Sequence, residues 1–313
     1  MSAELTQQAA VPRPRPLHAK IVSKLALRSE PRCVICARIA TSSFTVHGYL
    51  FFSCAACDYA FLDPAVASLL RCETVFGDEY FCGGGAGYTN YFDEADLLRS
   101  HGTRYGRLLA RVGARRVLDV GAAAGFIMRG MIEAGCGAVG IEPNASMAAY
   151  AVRELGLDVR TTTLERFGTG DQFDAVAMLQ VVDHVEDIRL SFERVSALTK
   201  AGGWCLIEFG NRASLTARIL GSGWHEYAPP SVQRVFSLRA LRLLLADYGF
   251  ALQTWGHPAK YLRADHALSL LQYKVGLPIV RGALGCLADA IPAQAKLRYI
   301  GDDITWVMFR KAA

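Results

Sequence analysis

From residue 116 to residue 211 the chain alternates short apolar runs with longer amphipathic stretches, and that alternation decides the fold class. The runs Arg116–Val120, Ala138–Ile141, Phe173–Met178 and Trp204–Phe209 have strand length and strand composition. Between them, helical patterns run to Ala134, over Ser146–Leu155 and over Ile188–Thr199. A strand that must return to lie parallel to its predecessor needs a helical crossover. The expected fold is therefore α/β, a doubly wound, mostly parallel Rossmann-like sheet. A further helix over residues 237–250 is expected to stop at Gly249 in a left-handed turn.

Composition removes several alternatives. With 52% apolar residues the chain is too apolar to be disordered. Its mean hydropathy of +0.20 calls for a search for a membrane span. Arg281 and Glu208 interrupt the most apolar stretches, and no uncharged run approaches roughly 18 residues. The net charge is +5, but residues 1–32 hold six basic and two acidic residues, which leaves about +1 for the rest. A basic arm on a nearly neutral body is not the clustered basic face of a nucleic-acid binder. The polar, proline-punctuated start lacks the apolar core of a secretion signal, and nine cysteines is an odd number for a disulfide framework. A reducing cytoplasm is expected.

The stretch Val117-Leu-Asp-Val-Gly-Ala-Ala-Ala-Gly125 follows the first core strand, and Gly140-Ile-Glu-Pro-Asn144 follows the second. Ligands of an open parallel sheet sit beyond the carboxyl ends of its strands. Gly121 permits a tight turn near a ligand, Gly125 permits close packing of the next helix, and Glu142 stands where a carboxylate can accept both ribose hydroxyls. A dinucleotide or S-adenosylmethionine would fit such a turn. Asp119 decides between them, since its negative charge repels a pyrophosphate and attracts the ammonium of a methionine group.

The order of these motifs resembles the class I S-adenosylmethionine-dependent methyltransferases. It continues through Phe173-Asp-Ala-Val, Gln180-Val-Val-Asp-His-Val185, Thr199-Lys-Ala-Gly-Gly203, Leu206-Ile-Glu-Phe-Gly-Asn211, Phe236-Ser-Leu-Arg-Ala-Leu and Gly301-Asp-Asp. The resemblance covers about two-thirds of the chain. It implies that Asp119, Gly121 and Gly125 face the methionine part, that Glu142 holds the ribose, that Thr163 and Leu164 flank the adenine, and that Gln180 lines the site. Ala123 stands where the middle glycine of the pattern is usual, and Thr161-Thr-Thr-Leu-Glu165 lacks a clear polar adenine contact.

Ahead of this core, Cys33-x2-Cys36 and Cys54-x2-Cys57 are separated by 17 residues. Two such knuckles bring four thiolates around one Zn²⁺ at about 2.3 Å per bond, and four protein ligands leave no open position, so a structural zinc is expected. Cys136, Cys205 and Cys286 lie in apolar contexts and are expected in the core, whereas Cys72 and Cys82 suggest no role. A zinc knuckle before such a core resembles bacterial methyltransferases of sugar, polysaccharide and natural-product biosynthesis. Ribosomal RNA guanine methyltransferases also carry an N-terminal zinc site, but the near-neutral body counts against RNA.

The expected organisation is a flexible basic arm (1–30), a zinc-binding knuckle (31–66), a linker with a lead-in helix (67–112), the S-adenosylmethionine-binding core (113–254) and an extension (255–313). The part of this extension from Tyr261 to Arg298 is expected to cap the acceptor pocket. The implied partner is a small-molecule methyl acceptor, such as a nucleotide-linked sugar. The alternative is an RNA methyltransferase or RNA-binding module that uses the knuckle and the arm. A hydroxyl or carbon acceptor needs a base. His184, after the fourth core strand, is the candidate, and Trp224-His-Glu-Tyr227 before Pro229-Pro230 is a candidate cover for the acceptor. Related sequences often carry a histidine where this chain has Val232. His101, His257 and His266 are assigned no function.

Overall fold

The computed structural model of the chain describes residues 30–70, 75–83, 88–258, 261–264, 292, 295–298 and 301–313. The basic arm, Cys72, His266, Cys286 and most of the expected cap lie outside the described residues.

Strands β1 (Ser42–Val46), β2 (Tyr49–Cys54) and β3 (Tyr59–Leu62) are followed by the short helices α1 (Pro64–Ala67) and α2 (Asp78–Cys82). A 3₁₀ turn, Tyr91–Glu94, opens helix α3 (Ala95–Arg111). The core then runs β4 (Arg116–Val120), α4 (Phe126–Glu133), β5 (Gly137–Glu142), α5 (Ala145–Arg153), β6 (Val159–Thr161), β7 (Phe173–Leu179), α6 (Ile188–Leu198), β8 (Thr199–Gly210) and α7 (Leu215–Leu220). Strand β9 (Arg234–Val235), α8 (Leu238–Ala246), β10 (Phe250–Gly256), β11 (Tyr261–Arg263), β12 (Lys296–Arg298) and β13 (Ile304–Lys311) complete the described elements.

Seven strands make the central sheet in the order β10-β13-β8-β7-β4-β5-β6. The strands from β8 to β6 run parallel, as the alternation requires, and β13 inserts antiparallel between β8 and β10. The order reverses at β4, whose neighbours are β5 and β7, so the ends of β4, β5 and β7 open one crevice.

The parallel strands are apolar on both faces, and alternate residues serve opposite layers. Val176 and Met178 of β7 pack with Phe192 and Val195 of α6 and Leu241 and Leu244 of α8. Ala175 and Ala177 pack with Tyr105 and Leu109 of α3 and Met131 of α4. Helix α6 starts where the Asp187 carboxylate accepts the Arg189 and Leu190 N–H groups. It buries Ile188, Phe192, Val195 and Leu198, each contributing up to about 1.5–3 kcal/mol. Helices α3 and α4 touch backbone to backbone, since a Cβ on Gly102 would lie 2.0 Å from the Ile127 carbonyl oxygen and one on Gly130 2.0 Å from that of Arg99.

The N-terminal segment is a four-stranded antiparallel sheet, β1-β2-β3-β9, whose last strand comes from the far side of the core. Its buried Cys33, Cys57, Tyr59 and Phe61 join the same cluster as α6 and α8. Arg189 of α6 donates to the carbonyls of Val34 and Ile35 and pairs with Asp247. No helix among the described residues is long and apolar enough to cross a membrane.

Candidate active site and cysteine cluster

A cavity of about 320 Å³ opens at the strand ends. Of the residues expected to form the site, Gly121, Glu142, Thr163, Leu164, Gln180 and His184 line it, and Asp119 and Gly125 do not. Gly121 has φ +72°, and a Cβ there would stand 2.6 Å from Val181 Cγ2. Gly125, at φ +83°, faces away, because its Cβ would meet Leu157 and Ala151 at 2.5 and 3.1 Å. It lets the first helix close on the next layer.

Glu142 is 4% exposed and ties the strand end together. One carboxylate oxygen accepts the Ala123 N–H at 2.9 Å and the other the Asn144 N–H at 2.8 Å. Burial raises its pKa, and these two N–H groups oppose the rise. Asp119 is 2% exposed, and its Oδ2 has no hydrogen-bond partner. Burial, followed by the like charge of Glu142, pushes it up to about 7. Thr163 Oγ1 is also buried without a partner. Orphaned polar atoms of this kind are costly unless a ligand satisfies them.

Asn144 caps α5 through the Met147 N–H and donates to the Phe76 carbonyl and to Asp78. It thereby fixes the segment that brings Phe76, Tyr80 and Phe81 to the cavity wall. His184 Nδ1 lies 2.8 Å from the Ser231 carbonyl, a contact only an Nδ1–H can make. Burial lowers its pKa, so the neutral ring is favoured. Gln180 adopts φ +59° and donates from Nε2 to Glu208 Oε1 at 3.1 Å.

Sequence reasoning missed the group around Glu208. This carboxylate, 1% exposed at the end of β8, accepts from Tyr105 Oη and faces His101 Nε2 at 2.8 Å. His101 and Tyr105 are one helical turn apart, so they share a face of α3. That spacing, and a glutamate inside an apolar strand, were the available signals. The aromatic set Phe76, Tyr80, Phe81, Tyr88 and Tyr91 carries no periodicity that marks it in sequence.

In the N-terminal sheet the sulfurs of Cys33, Cys36, Cys54 and Cys57 all lie within 4.8 Å of one another, with Cys36 and Cys54 3.6 Å apart. Tetrahedral thiolates at about 2.3 Å from one ion would be about 3.8 Å apart, so the donor set suits such an ion. Desolvation pushes the Cys33 thiol up to about 11. At Cys36 desolvation is outweighed by hydrogen bonds from the Arg38 N–H and neighbouring thiols, which bring it down to about 7. Cys136 and Cys205 are buried in the core, as expected.

A seven-stranded sheet with one antiparallel strand, a glycine turn after β4 and a carboxylate at the end of β5 defines a Rossmann-like methyltransferase fold. The family model for the methyltransferase domain matches residues 97–254, half of the chain, and the chain belongs to that family. It is 30% identical over 143 residues to a ubiquinone biosynthesis O-methyltransferase of Nitrobacter winogradskyi, covering 44% of this chain and 51% of that one. The same-named protein of Bradyrhizobium diazoefficiens is 31% identical over 137 residues, 39% of this chain and 54% of that one. The chain thus spans about half the length of the curated relatives it matches. Among solved structures, an S-adenosylmethionine-dependent methyltransferase of Thermotoga maritima, described as a possible histamine N-methyltransferase, shares the fold. Its TM-score is 0.50 at 16% identity, over 78% of this chain and 100% of that one.

Proposed function

We propose that the chain transfers a methyl group from S-adenosylmethionine to a small-molecule acceptor in a reducing cytoplasm. The acceptor class is that of sugar, polysaccharide or natural-product intermediates, including a nucleotide-linked sugar. The observation that carries the reading is the pair of buried carboxylates at the β4 and β5 ends, one with an unmet oxygen. A ligand ammonium would supply the partner that Asp119 lacks, and two vicinal hydroxyls could donate to the remaining lone pairs of Glu142. Gly121 would let the ligand approach the turn, with Gly125 closing the packing behind it. Thr163 and Leu164 would flank the base, and Gln180 would line the middle.

When bound, the cofactor supplies an electrophilic methyl group on a sulfonium. The chain's contribution is then alignment and exclusion of water, which proximity alone can make large. Tyr80, Phe81, Tyr88 and Tyr91 would form the apolar wall. His184, neutral and anchored by Ser231, would contact the acceptor through Nε2. Among the described residues, six glutamates and one arginine line the cavity, which favours a small acceptor over a phosphate backbone.

The four cysteines would hold a structural Zn²⁺, closed to chemistry by its four protein ligands. Calorimetry with S-adenosylhomocysteine tests the cofactor half. Methyl transfer from labelled cofactor to a metabolite extract, read by mass spectrometry, tests the whole reading. No binding in the first assay refutes it.

A further inference from the structure

We infer that His225 is the residue that takes the proton from a hydroxyl acceptor, while His184 orients another donor group of the same molecule. This inference rests on the methyl-transfer reading above. Both imidazoles line the same cavity, so the choice between them is electrostatic. A base must become a cation during the reaction, and its surroundings must welcome that charge.

His184 is poorly suited to this. Its Nδ1–H faces a neutral carbonyl, that of Ser231, its ring packs edge-on against Phe76 at 5.0 Å, and burial outweighs the pull of Glu226 towards the charged form. Its environment favours the neutral ring, which can accept a hydrogen bond without keeping the proton.

His225 has the opposite surroundings. Its Nε2 lies 3.1 Å from Glu226 Oε1 and 3.5 Å from Asp303 Oδ2. Asp303 is fully buried, and its Oδ2 accepts the Trp224 Nε1–H at 2.6 Å, so this carboxylate is fixed in place. The Asp303 main-chain carbonyl accepts the Asn211 N–H at 2.6 Å, tying it to the end of β8. Two carboxylates beside the ring, one of them anchored, stabilise the imidazolium that a general base becomes. His225 and Glu226 occupy the loop that also brings Ala228, Ser231 and Val232 to the cavity.

The step balances within the reacting set. The acceptor O–H bond breaks and its proton passes to the His225 imidazole. The oxygen pair forms the bond to the methyl carbon, and the electrons of the S–C bond remain on sulfur. The sulfonium methyl donor is the only co-reactant.

The test uses the full chain, methyl-labelled S-adenosylmethionine and an ultrafiltered metabolite extract, with His225→Gln, Glu226→Gln and His184→Gln variants. Calorimetry with S-adenosylhomocysteine is run on each. His225→Gln is expected to lose about 100-fold or more of the methyl incorporation while keeping its S-adenosylhomocysteine affinity. Glu226→Gln is expected to lose less, and His184→Gln less than His225→Gln. A loss under tenfold in His225→Gln overturns the proposal, as does a loss matched by weaker S-adenosylhomocysteine binding or a larger loss in His184→Gln. No incorporation by the unmodified protein brings down the methyl-transfer reading itself, and this proposal with it.

Discussion

The Glu142 carboxylate accepts the backbone N–H of Ala123 at 2.9 Å, so the acidic strand end and the glycine turn hold each other. Ala123 sits at φ +46°, left-handed, at the position where the resemblance leads one to expect glycine. The hydrogen bond helps hold it there, against a cost of about 1–2 kcal/mol for a non-glycine residue.

Each Glu142 oxygen has a second lone pair for a ribose hydroxyl. Glu142→Ala is therefore expected to weaken S-adenosylhomocysteine binding about 10- to 100-fold, equivalent to about 1.4–2.8 kcal/mol. Unchanged affinity in calorimetry would remove Glu142 from the ribose site.

Asp119 predicts how binding responds to pH. Burial pushes its carboxyl up to about 7, and in the proposed function the ammonium of S-adenosylhomocysteine would bind its ionised form. Affinity should rise with pH up to about 7, by at most about tenfold per unit, and then level off. Calorimetry at pH 6 in two buffers of different ionisation enthalpy should show proton release on binding, and Asp119→Asn should abolish that release. The folded pKa lies above the unfolded one, so Asp119's contribution to ligand-free stability is full below about pH 4 and lost as pH rises to about 7.

Gly121→Ala combines left-handed strain with a Cβ contact of 2.6 Å to Val181. It should destabilise the protein by about 1–3 kcal/mol in urea denaturation. Val181→Ala in the same chain should relieve the contact but not the strain, so recovery should be partial. Full recovery would show that backbone conformation is not limiting at this turn.

Metal analysis of the purified protein should find one zinc per chain, and Cys57→Ser should lower that content. Chelation should reduce amide protection in β1, β2, β3 and β9 before it reaches β4, because those strands form one sheet and Cys54 ends β2 with Cys57 in the turn that leads to β3. Simultaneous loss throughout would mean that the two sheets unfold as one unit.

Strands β4, β5, β7 and β8 were legible because each is an apolar run bounded by a turn, and the cysteine spacing announced the cluster. Several parts were not legible. Strand β9 has two residues and exists only because Ala60 and Phe61 offer an edge, so it has no pattern of its own. The antiparallel β13 reads like any apolar strand, since direction leaves no mark on composition. At the site, Gly121 and Glu142 followed from the strand ends, and Thr163 and Gln180 from the family resemblance. Glu208 became visible only once α3 had brought His101 and Tyr105 over β8.

Strand β9 also bears on how the chain is made. Ala60 pairs with Val235, so an edge formed by early residues waits for a partner synthesised some 175 residues later. At ribosomal speeds of about 5–20 residues per second, that wait is on the order of ten seconds or more. During it the β3 edge is open to other chains. A metal ion gripped by the two cysteine hairpins would hold the nascent sheet in register through that interval, which makes the ion as much a timekeeper of biogenesis as a brace of the finished molecule.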